Sequence, residues 1–334
     1  MERAVERAVE RARDGAGRLV GIESTRAMVD AKVQRLVDFV KYWGVWPLSR
    51  RLAGRGPVPR PALPSASPFP LPMIVAITRE VSRSITECEL THVARTPIDL
   101  AVARDQHDAY EEALESLGVR VIRLPELPEL PDAVFVEDVA LVLDEVAVLT
   151  RPGAASRRPE VDAMAEALAP FRRCVRIPEP ATLDGGDVLR IGRTLFVGLT
   201  QRTTAEGIAA LRALVAPFGY DVREVAVAGA LHLKTAVTQV SPDWILVNPD
   251  WVDAAQFDGF DALTVDPAEP FAANAVMVSG GVIHSTAFPR TQNMLRAHGV
   301  SVIGVDASEL AKAEGGVTCC SLLFDVLEAT LPTA

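Results

Sequence analysis

The chain has 334 residues and a formal net charge of −10, which argues against a nucleic-acid partner because such partners normally bind a basic face. Apolar residues make up 49% of it and charged residues 23%, a composition that allows a large buried core. Four cysteines are too few for a disulfide framework in a chain of this length, so we expect a reducing, cytoplasmic location.

Residues 1–72 differ in pattern from the rest of the chain. The stretch 27–46 could form an amphipathic helix, and 51–72 is rich in Pro, Arg, Ser and Ala without periodicity, which is typical of a linker. Charges interrupt the apolar runs, which argues against a membrane-spanning segment, and a signal-peptide pattern is lacking. We therefore expect a dispensable, partly helical extension, with Met73 as the true start and a catalytic domain over 73–330.

From residue 73 onward, hairpin patterns alternate with helical ones. Apolar hairpins with turn residues at their centres are predicted over 135–152, 183–200, 231–249 and 274–289. Helices are predicted over 159–171 and 203–218, with short strands over 174–177 and 222–227. A unit of strand, strand, helix and strand that recurs about every 45 residues is typical of repeat architectures. Used five times, it predicts an α/β fold with units arranged around a central axis.

Polar residues recur near the start of these units at the same interval. Glu137 and Asp138 interrupt an apolar strand pattern, where buried carboxylates are costly unless they are paired or face a polar pocket. Asp184 and Asp187 flank a Gly-Gly pair, which is equally typical of an ordinary tight turn. His232 lies on an apparent strand, where a lone histidine is usually structural. The shared interval indicates instead that these residues meet in one site.

Cys319 completes the series near the end of the chain. It follows Gly315 and Gly316, which permit the backbone to approach a ligand closely. A free cysteine is more often a small buried hydrophobe than a nucleophile, and this is our interpretation of the two earlier cysteines. Because Cys319 occurs in the same register as His232, we interpret it as a candidate nucleophile.

Six motifs carry a family resemblance: Phe-Val-Glu-Asp-Val-Ala at 135–140, Thr-Arg-Pro-Gly-Ala at 150–154, Ala-Thr-Leu-Asp-Gly-Gly-Asp-Val-Leu at 181–189, Phe-Val-Gly-Leu at 196–199, Leu-His-Leu-Lys at 231–234 and Thr-Cys-Cys-Ser at 318–321. Together they resemble the dimethylarginine dimethylaminohydrolase family of the guanidine-modifying superfamily. The resemblance runs from residue 73 to about residue 327 and implies a five-bladed α/β propeller, the pentein fold.

The resemblance also implies residue roles. Cys319 matches the nucleophile, His232 the general acid and base, and Asp184 the carboxylate that orients the histidine. The residues that match substrate contacts are Glu137 and Asp138 near the guanidinium, Arg157 and Arg202 at the α-carboxylate, and Asp132, Leu90 and Ala313 at the amino-acid end.

The implied reaction converts methylated L-arginine to citrulline and an amine through a covalent thiouronium on cysteine, without a metal or organic cofactor. The implied partner is a small molecule, with no nucleic acid and no membrane, and a homodimer is left open. One rival is an arginine or agmatine deiminase, but those relatives carry a carboxylate two residues after the histidine, where this chain has Lys234. The other rival is a non-catalytic propeller that binds arginine-like ligands.

Overall fold

The computed structural model of the protein describes residues 72–327, so the predicted extension lies outside the described residues except at its last position. Fifteen strands form five separate three-stranded sheets. In each sheet the middle strand pairs with one neighbour antiparallel and with the other parallel. The described residues thus form an α/β fold built from one repeated unit.

Apart from β15, successive groups of strands along the chain form successive sheets. The first sheet contains β1 (Pro72–Arg79), β2 (Arg120–Leu124) and the last strand, β15 (Leu322–Leu327). The other four sheets are β3 (Ala140–Val142), β4 (Val146–Leu149) and β5 (Arg173–Arg176); β6 (Val188–Ile191), β7 (Thr194–Leu199) and β8 (Asp221–Ala226); β9 (Val237–Gln239), β10 (Trp244–Val247) and β11 (Asp261–Thr264); and β12 (Ala275–Val278), β13 (Gly281–Ser285) and β14 (Val302–Val305).

Helices make most of the parallel crossovers. The α-helices are α1 (Leu100–Ser116), α2 (Glu160–Leu168), α3 (Ala205–Val215), α4 (Leu233–Ala236), α5 (Pro289–Ala297) and α6 (Ser308–Ala311). The 3-10 helices are Ile85–Glu87, Val136–Val139, Ala155–Arg157, Gly185–Asp187, Ala216–Phe218, Ala254–Gln256 and Val317–Cys320. The crossovers from β1, β4, β7 and β13 use α1, α2, α3 and α5, whereas the crossover from β10 contains the 3-10 helix at Ala254–Gln256. None of the helices within 72–327 is long and apolar enough to cross a membrane.

The predicted helices over 159–171 and 203–218 are confirmed, and each α-helix is shorter at both ends than predicted. In α3, the Thr204 hydroxyl accepts a hydrogen bond from the Gly207 N–H at 3.2 Å, which caps the first turn. The last predicted residues, Ala216–Phe218, tighten into a 3-10 turn that Gly219 ends at φ +75°.

The strand placement of the polar clusters is wrong. Glu137 and Asp138 lie in the 3-10 helix before β3, not within a strand, and His232 lies just before α4 rather than on a strand. Buried carboxylates need hydrogen-bond donors. A turn leaves backbone N–H groups that can donate to them, whereas a strand would use those N–H groups to pair with its neighbour in the sheet. Asp138, for example, accepts from the Gly186 N–H at 3.1 Å.

One strand of each sheet lines a common cavity of 210 Å³, and we call these five the inner strands: β3, β6, β9, β12 and β15. The segments that lead into them carry the polar residues of the sequence motifs. The apolar core lies in clusters between the sheets and their helices, as where α1 buries Ala103, Tyr110 and Leu114.

Candidate active site

A second, smaller cavity brings most of the predicted site residues together. Eight of the ten line it: Asp132, Asp138, Arg157, Asp184, Arg202, His232, Ala313 and Cys319. The two that do not are Glu137 and Leu90. The segments before β3, β6, β9 and β15 each contribute residues to the lining of this cavity, so residues far apart in the chain meet in one place.

His232 lies buried between two carboxylates. Its Nε2 is 3.0 Å from Asp184 Oδ2, and its Nδ1 is 3.7 Å from Asp138 Oδ1. Burial alone would lower the pKa of His232, but the negative charge of Asp138 and the hydrogen bond to Asp184 outweigh it and raise the pKa to about 9. The imidazole therefore carries a proton at neutral pH.

Backbone groups and a second aspartate fix this arrangement. Asp184 Oδ1 accepts from the Gly153 N–H at 2.8 Å. Asp187 Oδ1 accepts from the Leu233 N–H at 2.9 Å, and its Oδ2 accepts from the Thr203 hydroxyl at 2.6 Å. Asp187 thus joins the turn that carries Asp184 to the start of α4, directly after His232.

Cys319 lies in the 3-10 helix that follows Gly315 and Gly316. A Cβ at Gly315 would come within 2.1 Å of the Phe135 ring, and one at Gly316 within 2.5 Å of Asn274 Oδ1. The two glycines are therefore required by packing within the protein, whereas the sequence suggested only approach to a ligand. Burial raises the pKa of the Cys319 thiol to about 12, and the Glu137 carboxylate adds to the effect.

The two predicted carboxylate-binding arginines differ in environment. Every nitrogen of the buried Arg157 guanidinium donates to the protein: to Asp138, to Glu160 at 3.0 and 2.7 Å, and to the Phe135 carbonyl at 2.8 Å. Arg202 is half-buried, and its Nη2 donates to the Thr91 hydroxyl at 2.8 Å. Arg202 therefore has more donors to offer a ligand than Arg157.

Glu137 faces away from the cavity that holds Cys319. Its Oε1 accepts from Lys234 Nζ at 2.6 Å and its Oε2 from the Thr318 hydroxyl at 2.9 Å, and all three residues line the cavity between the inner strands. Burial raises the pKa of Glu137 to about 7, although Lys234 opposes the rise. Leu90 packs against the core cluster that contains the buried residues of α1.

Glu314 is a site residue that sequence reasoning missed. Its carboxylate accepts hydrogen bonds from three successive backbone N–H groups, those of Thr91, His92 and Val93, and so holds the loop beside the cavity. Glu314 has a φ of +59°, a left-handed conformation that is uncommon for a residue other than glycine. The sequence carries no local signal for this contact, because the partners lie more than 200 residues apart.

Two groups of described residues bring possible metal ligands close together. One is Asp138, Asp184 and His232, where the histidine already lies against both carboxylates. The other is His107, Asp108 and Glu111 on α1, where Arg123 already forms ion pairs with both acids.

Comparison with known proteins agrees with this geometry. A sequence model of the family described as "N,N dimethylarginine dimethylhydrolase, eukaryotic" matches residues 95–325. An N(G),N(G)-dimethylarginine dimethylaminohydrolase of Streptomyces coelicolor is 38% identical over 254 residues, which cover 75% of this chain and 97% of that protein.

Solved structures give the same result. A Pseudomonas aeruginosa enzyme of this name, a cysteine-to-serine mutant in complex with citrulline, superposes with a TM-score of 0.73 at 34% identity, covering 75% of this chain and all of that one. A histidine-to-glycine dimethylarginine dimethylaminohydrolase bound as an adduct with S-methyl-L-thiocitrulline superposes with a TM-score of 0.71 at 34% identity, over 75% of this chain and 99% of that one. The chain therefore belongs to the dimethylarginine dimethylaminohydrolase family.

Proposed function

We propose that this protein hydrolyses Nω-methylated L-arginines, both asymmetric dimethylarginine and monomethylarginine, to L-citrulline and dimethylamine or methylamine. The observation that carries the proposal is that Cys319, the His232–Asp184 pair and Asp138 line one cavity. A thiol, a protonated imidazole and a carboxylate are the groups needed to attack a guanidinium carbon, protonate its leaving nitrogen and hold its positive charge.

The charges of the site favour activation by the substrate itself. The thiol of Cys319 is neutral at rest because its pKa is about 12, and the imidazole of His232, with a pKa of about 9, is protonated. A guanidinium cation beside the sulfur favours the thiolate, so the thiol loses its proton to the solvent as the substrate binds. The carboxylate of Asp138 then faces the cation.

The reaction then proceeds in two halves. The Cys319 thiolate forms a bond to the guanidinium carbon, His232 gives its proton to the departing amine, and the C–N bond breaks to leave a covalent S-alkylthiouronium. Neutral His232 next takes a proton from water as its oxygen adds to the same carbon. The C–S bond breaks, the thiol recovers a proton from the new hydroxyl, and citrulline leaves.

The remaining cavity residues suit the amino-acid end of the substrate. We assign the α-carboxylate chiefly to Arg202, whose planar guanidinium matches the geometry of a carboxylate, with Arg157 lining the same cavity. Asp132, Ala313 and, at the rim, Leu90 are proposed to hold the amino-acid end. Glu137 is proposed to act indirectly, through its hydrogen bonds to Thr318 and Lys234.

Lys234 favours methylarginine over arginine or agmatine. The deiminase relatives would place a carboxylate here to bind an unsubstituted terminal nitrogen, whereas Lys234 Nζ pairs with Glu137 and faces the other cavity. A methylated nitrogen has fewer N–H groups to satisfy and loses less at such a site.

We extend the proposal to the architecture. One strand from each of the five sheets lines a common cavity, which supports a five-bladed propeller around that axis. The catalytic domain is proposed to span 73–330, with the extension before it. The four cysteines all have free thiols, which supports a reducing, cytoplasmic location.

A citrulline assay tests the proposed reaction. Purified protein is given asymmetric dimethylarginine, monomethylarginine, arginine and agmatine side by side. We expect citrulline from the two methylated substrates, with release of the matching amine. Ammonia release from arginine at a higher kcat/KM would favour the deiminase, and the absence of any product would favour a binding protein.

A further inference from the structure

The segment before β12 has no role in the reaction described so far. The segments before the other inner strands supply Asp138, Asp184, His232 and Cys319, whereas β12 is preceded by Asn274. Asn274 is 7% exposed, and it does not line the cavity that holds the thiol.

The Asn274 amide contacts both catalytic segments at once. Its Oδ1 accepts from the Thr318 N–H at 3.1 Å, directly before Cys319 in the chain. Its Nδ2 donates to the Thr318 hydroxyl at 2.9 Å and to the Lys234 carbonyl at 3.1 Å, two residues after His232. One side chain therefore bridges the loop of the candidate nucleophile and the helix that begins beside the candidate acid.

The bonding pattern requires an amide in this orientation. The Thr318 N–H needs an acceptor, and the Lys234 carbonyl needs a donor. The Thr318 hydroxyl, having accepted from Asn274, donates to Glu137 Oε2, so the network continues to the ion pair with Lys234. The backbone at Gly316 approaches the same amide so closely that a Cβ there would meet Oδ1 at 2.5 Å.

We propose that Asn274 is a positioning residue for the hydrolysis, which fixes the separation between the Cys319 thiol and the His232 imidazole. The proposal rests on the proposed function. The substrate contacts assigned above lie on other segments, so the loss of Asn274 changes the alignment of attack and proton transfer rather than the binding of the amino acid. Misplacement of catalytic groups by about 1 Å can cost about a hundredfold in rate.

Two variants and one control test this role. Asn274→Ala removes the bridge, and Asn274→Asp keeps the shape but places a carboxylate oxygen against the Lys234 carbonyl. Thr238→Val is the matched control, because it removes a buried hydrogen bond of 2.6 Å to the carbonyl of Ala273, the residue adjacent to Asn274, and leaves the bonds of Asn274 to Thr318 and Lys234 in place. Steady-state kinetics with asymmetric dimethylarginine and a melting curve are measured for each variant.

We expect both Asn274 variants to lower kcat at least about tenfold while KM stays within about threefold, and Thr238→Val to keep the parent kcat. If Asn274→Ala does not fold, the isosteric Asn274→Asp decides. A kcat within about twofold of the parent in a folded Asn274 variant would overturn the inference. An equal loss of kcat in Thr238→Val would also overturn it, because the loss would then reflect a general effect on stability. Failure of the parent protein to form citrulline would instead reject the proposed function.

Discussion

Arg157 and Asp138 form an ion pair with each other inside the protein, with 5% and 3% of their surfaces exposed. The family resemblance would place them at opposite ends of the substrate. Because Arg157 also bonds Glu160, its guanidinium holds the carboxylate of Asp138 in place. Burial alone would raise the pKa of Asp138, but the charges of His232 and then of Arg157 outweigh it and lower that pKa. The two arginines of the cavity wall should therefore respond differently to mutation.

Arg202→Ala should raise KM more than it lowers kcat, because Arg202 is proposed to bind the α-carboxylate and lies away from the reacting carbon. A loss of about tenfold or more in kcat/KM is expected for a charge-assisted contact. Steady-state kinetics with asymmetric dimethylarginine measure it. Agmatine, which lacks the carboxylate, should be a poor substrate for the parent protein, and efficient agmatine turnover would contradict this role.

Arg157→Ala should lower the free energy of unfolding by about 3–5 kcal/mol, because it leaves the buried carboxylates of Asp138 and Glu160 without their partner. Urea denaturation followed by circular dichroism measures the loss. Arg202→Ala, at a half-buried position in the lining of the same cavity, is the control and should change stability little. Equal stability of the two variants would contradict the structural role of Arg157.

Cys319→Ser should abolish citrulline formation, whereas Cys320→Ser should keep most of it. Cys319 lines the cavity, but Cys320 is 1% exposed in the core cluster that contains the buried residues of α1, and its Sγ lies 3.6 Å from the Gly316 carbonyl. A citrulline assay on both variants decides between them. Activity in the first variant and loss in the second would reverse the roles of the pair.

The rate should fall at alkaline pH as His232 loses its proton. Its pKa is raised to about 9, so the imidazole can donate to the leaving amine below that pH and cannot above it. We expect kcat/KM, which reports the ionisation of the free enzyme, to decrease about tenfold per pH unit above the transition. Asp184→Asn removes a group that raises the pKa and should move the fall to lower pH. A profile unchanged in Asp184→Asn would exclude His232 as the titrating acid.

A chain that begins at Met73 should keep the melting temperature and citrulline-forming rate of the full chain. In the first sheet Pro72 pairs with Leu327 and Ile77 with Leu322, so β1 begins about 16 Å along the sheet from the end nearest Cys319. All residues assigned a role lie beyond Met73. A melting temperature lowered by more than a few degrees would indicate that the extension stabilises the domain.

Local patterns were sufficient to predict the repeated unit. The helical period over 159–171 and 203–218 and the hairpin over 183–200 depend on neighbouring residues, so the corresponding helices and strands appear with small shifts at their ends. Local patterns could not predict which cavity the Glu137 side chain faces. Adjacent residues in its 3-10 turn face different cavities, and the partner that draws Glu137 away is 97 residues distant.

The same limit explains which site residues were missed. Asn274 and Glu314 have polar side chains at unremarkable positions, and their partners come from other parts of the chain, 40 to 44 residues away for Asn274. Residues with distinctive chemistry, such as Cys319 and His232, are recognisable alone. Residues that hold them depend on tertiary contacts that a single sequence does not display.

The antiparallel pairing of β1 with β15 unites the first and last strands of the described chain. During synthesis, β1 leaves the ribosome long before its partner, because proteins are made from the N-terminus at about 5–20 residues per second. Closing so long a loop is a slow, non-local event in folding. A nascent chain that stops before Cys319 lacks both the thiol and β15, so one stretch of chain supplies the candidate nucleophile and also completes the first sheet.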